Sequence, residues 1–255
     1  LPATYVAKPE LFSWVISKLV VYSIKYGLHP SSFHGFSCYG MLLVFEENYP
    51  DAYAFGNIAL QLAQAWNEHL QISRTAHVLS AFLMSWVKPV RLSDDIQRLV
   101  KADLTYMGYS HAECFGNKLL GGFTIEAMLD EVRVIEHDLA AFENKYTEVI
   151  NAVFRFSLLT LQGTPEDQIR CDGKLWTEAD FLAECEAQQW IAGICTHYIL
   201  RSLTSYLSGD YATAYTCTRE AETRIHTRRA GMIVPVFYLP HCLVLAANYR
   251  DRPAE

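Results

Sequence analysis

The 255-residue sequence lacks a long apolar run, a strongly basic composition and any closely spaced pair of cysteines. No run of about eighteen or more apolar residues occurs, which predicts that the chain does not span a membrane. The net charge of -7 argues against a nucleic-acid partner, because such proteins normally carry a basic face. The seven cysteines are scattered without a C-x-x-C pair, and this pattern predicts reduced thiols and a cytoplasmic location.

Sequence motifs for nucleotide and metal chemistry are also missing. Neither G-x-x-x-x-G-K-[ST] nor G-x-G-x-x-G occurs, so we expect no nucleotide site in this stretch of chain. The residues from His111 to Cys114 match the H-x-E half of a zinc deaminase motif, but the P-C-x-x-C half is absent and the metal would lack ligands. The sequence therefore predicts no cofactor, no metal site and no catalytic residue.

What the sequence does have is apolar side chains at helical spacing along almost its whole length. Just over half of the residues are apolar and 13% are aromatic, which is enough for a sizeable folded core. No segment of six or more residues alternates as a strand would. The periodicity predicts helices at 10–26, 33–46, 52–67, 72–87, 93–106, 109–120, 124–142, 146–161, 178–188, 190–207, 211–228 and 236–249, with an exposed loop at 162–176.

Small residues recur where two successive helices would cross. A Gly-Asp turn at 209–210 separates two helical runs, and Ala214 and Ala221 in the second run lie seven residues apart on one face. Ala52 and Ala59 have the same spacing in an earlier pair of helices. Small side chains allow close approach, so this pattern predicts the helical hairpin of a tetratricopeptide-type repeat.

Other positions in these hairpins follow the same pattern. Gly40 lies where such a hairpin places a small residue at the helix crossing, and Tyr49 corresponds to Tyr211 beside the turn. In a third hairpin we expect Ala127 at the crossing, with Val134 seven residues later.

The predicted hairpins begin near 32, 72, 109, 145 and 190, a spacing typical of tetratricopeptide and somewhat longer helical repeats. One hairpin cannot bury its apolar face alone, so neighbouring hairpins are expected to stack. We predict an all-α fold, a tetratricopeptide-like α-α superhelix (solenoid) of about five hairpins plus flanking helices. It is expected to be a single domain over 1–255 and a fragment of a longer chain. An irregular helical bundle is the alternative architecture.

Four segments carry a resemblance to a known family: GFSCYGMLL, DAYAFGNIALQLAQ, YLSGDYATAY and GMIVPVFYLPHCLVLAA. They resemble the tetratricopeptide-like region that follows the AAA/STAND-type ATPase module in large multidomain signalling proteins with kinase and sensor histidine-kinase domains. The likeness covers about 20–249. It implies a non-catalytic regulatory module that binds a partner and acts on the flanking domains of the same chain. None of the family's catalytic residues lies in this region.

A set of polar and sulfur-containing residues is predicted to line the concave groove of such a superhelix. His34, Ser37 and Met41 recur forty-three residues later as His77, Ser80 and Met84. The complete predicted groove set is His34, Ser37, Met41, His77, Ser80, Met84, His111 and Tyr206. His111 and the further residue His197 also lie on first helices, in a less certain register. A protein segment or small ligand would bind there. Chance is the competing explanation, because nine histidines in one chain will produce some such matches.

Two other functions remain open from the sequence. Asp94 and Asp95 suggest the magnesium-binding carboxylates of an all-α terpenoid synthase, although Arg98 occupies the place of the further carboxylate and a helix N-terminus explains both acids. The chain could also be a purely structural spacer or dimerisation surface. Finally, the arginines at 224, 228 and 229 are expected at a helix end, either solvated or docking an acidic partner.

Overall fold

A computed structural model describes residues 9–142, 145–164, 168–171, 173–228 and 230–249. Over these ranges the fold is all-α, as predicted, with one small two-stranded sheet. The elements are α1 (Pro9–Tyr26), α2 (Pro30–Phe45), α3 (Tyr49–Ala65), α4 (His69–Val78), α5 (Leu92–Gln97), α6 (Leu104–Leu120), α7 (Ile125–Phe142), α8 (Lys145–Leu161), β1 (Ile169–Cys171), β2 (Lys174–Trp176), α9 (Glu178–Ala187), α10 (Ile191–Leu207), α11 (Tyr211–Arg224) and α12 (Ile233–Asn248).

The chain divides into two compact units, Leu1–Asn117 and Lys118–Glu255. Helix α6 contains the boundary, and each unit has its own helical hairpin with closely packed helices. The single-domain assignment over 1–255 stays a prediction. None of the helices in the described ranges is both long enough and apolar enough to cross a lipid bilayer.

The first unit contains the α2–α3 hairpin, whose helices meet at glycine and alanine. Ala52 and Ala59 are both fully buried, as predicted from their spacing. A Cβ atom placed on Gly40 would lie 2.8 Å from the carbonyl oxygen of Ala52, so only glycine fits there without movement of the backbone. Gly40 therefore sits at the helix crossing, where the sequence pattern predicted it.

The second unit contains the α10–α11 hairpin, built in the same way. Ala214 and Ala221 are fully buried, and the hydroxyl of Ser202 donates a hydrogen bond to the carbonyl oxygen of Ala214 (3.1 Å). The intervening turn has Gly209 at a φ of 83°, a conformation that favours glycine, and Asp210 accepts a bond from the backbone N–H of Thr213 (3.0 Å). The predicted Gly-Asp turn and alanine crossing are confirmed.

Helix α7 departs from the predicted hairpin pattern. Ala127 and Val134, expected at a helix crossing, are both exposed. The buried side chains are instead Met128, Leu129 and Val132. The prediction was wrong because large apolar side chains one position away define the inner face of this helix, and a lone alanine does not reveal which face is covered.

The predicted helix 72–87 begins earlier than expected and changes its geometry. Helix α4 is followed by a π-helical turn at Leu79–Leu83 and a 3₁₀ turn at Met84–Trp86. The wider turn places the side chain of Leu83 in the space left by two glycines, Gly40 and Gly56. It also follows directly on the residues around His77, and π turns are frequent at functional positions.

The predicted helix 93–106 is wrong in extent. Helix α5 has only six residues and ends at Gln97, and Ser93 lies inside it instead of capping it. After it the backbone N–H groups of Lys101 and Ala102 donate to the buried hydroxyl of Ser73 (3.1 and 2.8 Å), and this bonding replaces the helical pattern. A new helix, α6, then begins at Leu104.

The segment predicted as an exposed loop contains the antiparallel pair β1–β2. Ile169 opposes Trp176 and Cys171 opposes Lys174, with Gly173 at a positive φ of 65° in the turn. Ile169 and Cys171 are buried, so this part of the connection contributes to the core of the second unit. The prediction missed it because two three-residue strands are too short to show alternation.

Candidate functional site

Seven of the eight predicted groove residues lie in the first unit, and all seven are buried. They are His34, Ser37 and Met41 on α2, His77 on α4, Ser80 and Met84 in the turns that follow it, and His111 on α6. Tyr206 and His197 belong to α10 in the second unit, Tyr206 half-buried and His197 fully buried. A protein segment would therefore reach the seven only after a local opening of the fold.

The structure brings two of these histidines together around a buried tyrosine. The phenolic oxygen of Tyr106, on α6, lies 2.9 Å from Nε2 of His34, and the two rings meet edge to face with centroids 5.4 Å apart. The ring of His77 also meets the Tyr106 ring edge to face, again at 5.4 Å. We call His34, His77 and Tyr106 the imidazole–phenol cluster.

Aromatic rings enclose the His77 side of the cluster. The ring of Phe82 lies 5.6 Å from His77 and that of Tyr109 lies 6.3 Å from it. The Nδ1 atom of His77 is buried and has no hydrogen-bond partner among the described residues. A buried nitrogen without a partner costs free energy, so this atom is the least satisfied polar group of the cluster.

Burial holds the cluster in its neutral form. The pKa of His34 is lowered to about 3, chiefly by loss of hydration and in smaller part by repulsion from His77 and Arg74. Loss of hydration also lowers the pKa of His77 to about 4, although the carboxylates of Glu113 and Asp103 act in the opposite direction. Near neutral pH both imidazoles are therefore uncharged.

The phenol and a nearby thiol are likewise kept protonated. Burial raises the pKa of Tyr106 and raises that of Cys38 to about 12. The sulfur of Cys38 lies 3.6 Å from Nε2 of His34 and 3.8 Å from its Nδ1. A thiol with such a pKa is almost entirely protonated at neutral pH and is a poor nucleophile.

The ion pair between Arg74 and Asp103 lies next to the cluster, at the start of α6. The guanidinium of Arg74 lies over the Tyr106 ring at 5.4 Å and donates to a carboxylate oxygen of Asp103 at 2.9 Å. The other oxygen of Asp103 accepts from the backbone N–H of Tyr106 (3.3 Å), so Asp103 also caps the start of α6. This capping fixes the position of the tyrosine relative to its helix.

Sequence reasoning missed Tyr106, because it placed this residue at the end of a predicted helix instead of the first turn of α6. The available signal was Asp103, an acidic residue three positions before the tyrosine and a plausible N-cap. No signal in the sequence indicates that the rings of His34 and His77 approach the same phenol.

The other residues singled out from the sequence form ordinary structural contacts or face solvent. Asp94 accepts a hydrogen bond from Arg98 at 2.8 Å, whereas Asp95 is exposed. Arg224 binds Glu220 at 2.7 Å, and Arg228 is buried and donates to the hydroxyl of Tyr146. Position 229 lies outside the described residues. Within the described ranges no group of three or more histidine, cysteine, aspartate or glutamate side chains is arranged to hold a metal.

The second unit has a buried polar pair at His197. Its Nε2 lies 2.8 Å from a carboxylate oxygen of Glu178, and its Nδ1 is buried without a hydrogen-bond partner in the described structure. The bond from His197 is the main reason that the pKa of Glu178 is lowered, with Arg201 contributing at 3.6 Å.

Comparison of the chain with protein-family models, curated proteins and solved structures finds no match in any of the three. The resemblance to the helical region of STAND-type signalling proteins therefore stays a prediction from the sequence.

Proposed function

We propose that this chain is a non-catalytic helical-repeat module that recognises a protein segment or small ligand within a multidomain signalling protein. Its hairpins are those of a tetratricopeptide-like superhelix. Binding favours one arrangement of the hairpins, and that bias passes to the flanking domains of the same chain.

The observation that carries the proposal is the recurrence of one hairpin design. The α2–α3 pair and the α10–α11 pair each cross at fully buried alanines seven residues apart. Repeated hairpins of this kind provide extended surfaces for recognition.

The protonation states of the imidazole–phenol cluster fit this proposal better than catalysis. A general acid or base works best with a pKa near the working pH, and burial moves the pKa values of His34, His77 and Cys38 away from neutrality. The alternative acidic site at Asp94 and Asp95 offers one carboxylate bound to Arg98 and one facing solvent. Neutral, closely packed rings contribute to the core that holds the recognition module in its fold.

Selection of peptides from a displayed random library against the full chain tests the proposal. We expect selected peptides to bind with saturable one-to-one stoichiometry in fluorescence anisotropy, while the same peptides with scrambled sequences do not bind. Selected and scrambled peptides that bind equally weakly would contradict recognition. Turnover of a prenyl diphosphate with magnesium, lost in Asp94→Asn, would replace the proposal by the enzyme alternative.

A second candidate function, a dimerisation surface, is favoured by helix α12. The helix Ile233–Asn248 contains no charged residue and exposes large apolar side chains, namely Tyr238, Leu239, Leu243 and Leu245. Light scattering over a range of concentrations tests it: a dimer should form, and Leu239→Asp should dissociate it. The matched control is Leu207→Asp, since Leu207 and Leu239 are each 62% exposed. A monomer at all concentrations removes this candidate.

A further inference from the structure

Helix α1 presents an aromatic and basic stripe to solvent. Trp14 is 60% exposed and Tyr26 is 71% exposed, unusually high values for tryptophan and tyrosine. The stripe, which we call the α1 face, comprises Trp14, Lys18, Val21, Tyr22, Lys25 and Tyr26. The first five recur at intervals of three, four or seven residues and therefore share one side of the helix.

The opposite side of α1 anchors the helix firmly. Phe12, Ile16 and Val20 are buried, and the hydroxyl of Ser23 binds that of Ser32 on α2 at 2.7 Å. The side chain of Leu19 fills the space above Gly35. The α1 face is thus held on a fixed helix, and binding to it requires little ordering of the backbone.

The charge of the α1 face is opposite to that of the whole chain. The segment 11–45 contains no aspartate or glutamate, and its only lysines are Lys18 and Lys25, whereas the chain has a net charge of -7. The ammonium of Lys18 lies 5.8 Å from the ring centre of Trp14, and that of Lys25 lies 5.0 Å from that of Tyr26. The two lysines are seven residues apart, a distance of about 10 Å along the helix.

We infer that the α1 face docks an acidic amphipathic helix of a partner protein. This inference rests on the proposed recognition function and names its partner class. Carboxylates seven residues apart on the partner pair with Lys18 and Lys25, and apolar side chains between them pack on Trp14 and Tyr22. Tryptophan and tyrosine are the residues that most often dominate protein interfaces, and the complementary charges accelerate and orient association.

A protein partner fits the α1 face better than a lipid surface. Amphipathic helices that bind membranes carry their lysines on the polar face, away from the apolar side chains. Here Lys18 lies in the middle of the stripe, between Trp14 and Tyr22. A helical partner with carboxylates at matching positions would form ion pairs with both lysines in their present positions.

Fluorescence anisotropy with a designed peptide tests the inference on the full chain. The labelled probe is a helical peptide with glutamates seven residues apart and leucine and phenylalanine between them. We expect saturable binding that weakens at 0.5 M salt, where the Debye length is about twofold shorter than at 0.1 M. The Lys18→Glu/Lys25→Glu variant should bind at least tenfold more weakly, and a probe with lysines in place of the glutamates should restore its binding.

Matched variants in the second unit serve as controls. Lys174 lies 5.6 Å from the ring of Trp176, an arrangement like that of Lys18 and Trp14, so Lys174→Glu should leave the affinity within twofold. Tyr22→Ala should weaken binding, whereas Tyr211→Ala should not; these tyrosines are 54% and 44% exposed. Equal effects of the paired variants would overturn the inference.

Two further measurements separate other occupants of the α1 face from the proposed one. Vesicles rich in phosphatidylserine that bind through the same lysines, with no binding of the peptide, would overturn the inference in favour of a membrane surface. Self-association abolished by Tyr22→Ala would assign the face to a second copy of the chain. If library-selected peptides bind but ignore the α1 variants, this inference fails and the proposed function stands. If no peptide of either kind binds, both fail.

Discussion

At the scale of single residues, the α2–α3 crossing depends on the absence of one methyl group at Gly40. The carbonyl oxygen of Ala52 and a methyl of Leu83 would each lie 2.8 Å from a Cβ atom there. Both are closer than packed atoms tolerate, and the first belongs to the backbone, which cannot rotate away.

Gly40→Ala should therefore destabilise the protein by about 1–3 kcal/mol, even though alanine favours a helix by about 1 kcal/mol over glycine. Urea denaturation followed by circular dichroism measures the change. Gly35→Ala is the matched control, because the three atoms nearest its Cβ would all belong to the side chain of Leu19, which can adopt another rotamer. An equal or larger loss in Gly35→Ala would contradict the importance of the backbone contact.

The imidazole of His77 makes stability depend on pH. Its pKa is lowered from 6.5 to about 4 in the folded chain, so the unfolded chain binds more protons between these values. Stability should fall as pH falls through this range, by about 3 kcal/mol from this group. His77→Gln should flatten the slope of unfolding free energy against pH between 7 and 4.5, measured by urea denaturation. His137→Gln, at a side chain that is 89% exposed, is the control. An unchanged slope in His77→Gln would disprove this assignment.

Some residues could be placed from the sequence and others could not. Ala52, Ala59, Ala214 and Ala221 were placed correctly because two alanines seven residues apart define a narrow helix face with no competing large side chain. The residue that joins His34 and His77 was missed, because a contact across 72 positions, from His34 to Tyr106, leaves no local pattern.

At the scale of elements, the α10–α11 hairpin shows how one helix face differs from the other. Ala214 is fully buried against α10, where Ser202 binds its carbonyl oxygen, whereas Ala212 on the same helix is exposed. Substituting the same large side chain at both positions therefore compares the crossing with the solvent face directly.

Ala214→Leu should lower the free energy of unfolding by about 1–3 kcal/mol, because three added carbons would separate the helices. Ala212→Leu should change it by less than about 0.5 kcal/mol. Thermal or urea denaturation measures both. Equal stability of the two variants would show that the crossing is not closely packed in solution.

The elements that sequence reasoning misjudged share a physical cause. Helix α5 is short because Ser73, a residue from another element, binds the amides of Lys101 and Ala102. The β1–β2 pair forms because Ile169 is drawn into the core of its unit. In both cases the deciding interaction is tertiary, and neither hydrophobic period nor local propensity records it.

At the scale of the whole molecule, the division into two compact units predicts which helices lose stability when a core residue is mutated. Ile169→Ala removes a fully buried side chain from the second unit and should cost about 2–5 kcal/mol there. Native-state hydrogen exchange should show loss of protection mainly in α8–α12, with α2–α4 little changed. Leu175→Ala, at an exposed position of the same hairpin, is the control. Equal loss of protection in α2–α4 would show that the two units unfold as one.

The π-helical turn at Leu79–Leu83 changes the direction in which the side chains that follow it point around the helix axis. Such a turn holds about one residue more than an α-helical turn, so the residues after it are rotated by on the order of 100°. His34 and Met41 are joined by regular helix, whereas the π turn lies between His77 and Met84. The two triplets are therefore identical when letters are counted and different in angle, so Met41 and Met84 leave their helices in different directions relative to His34 and His77.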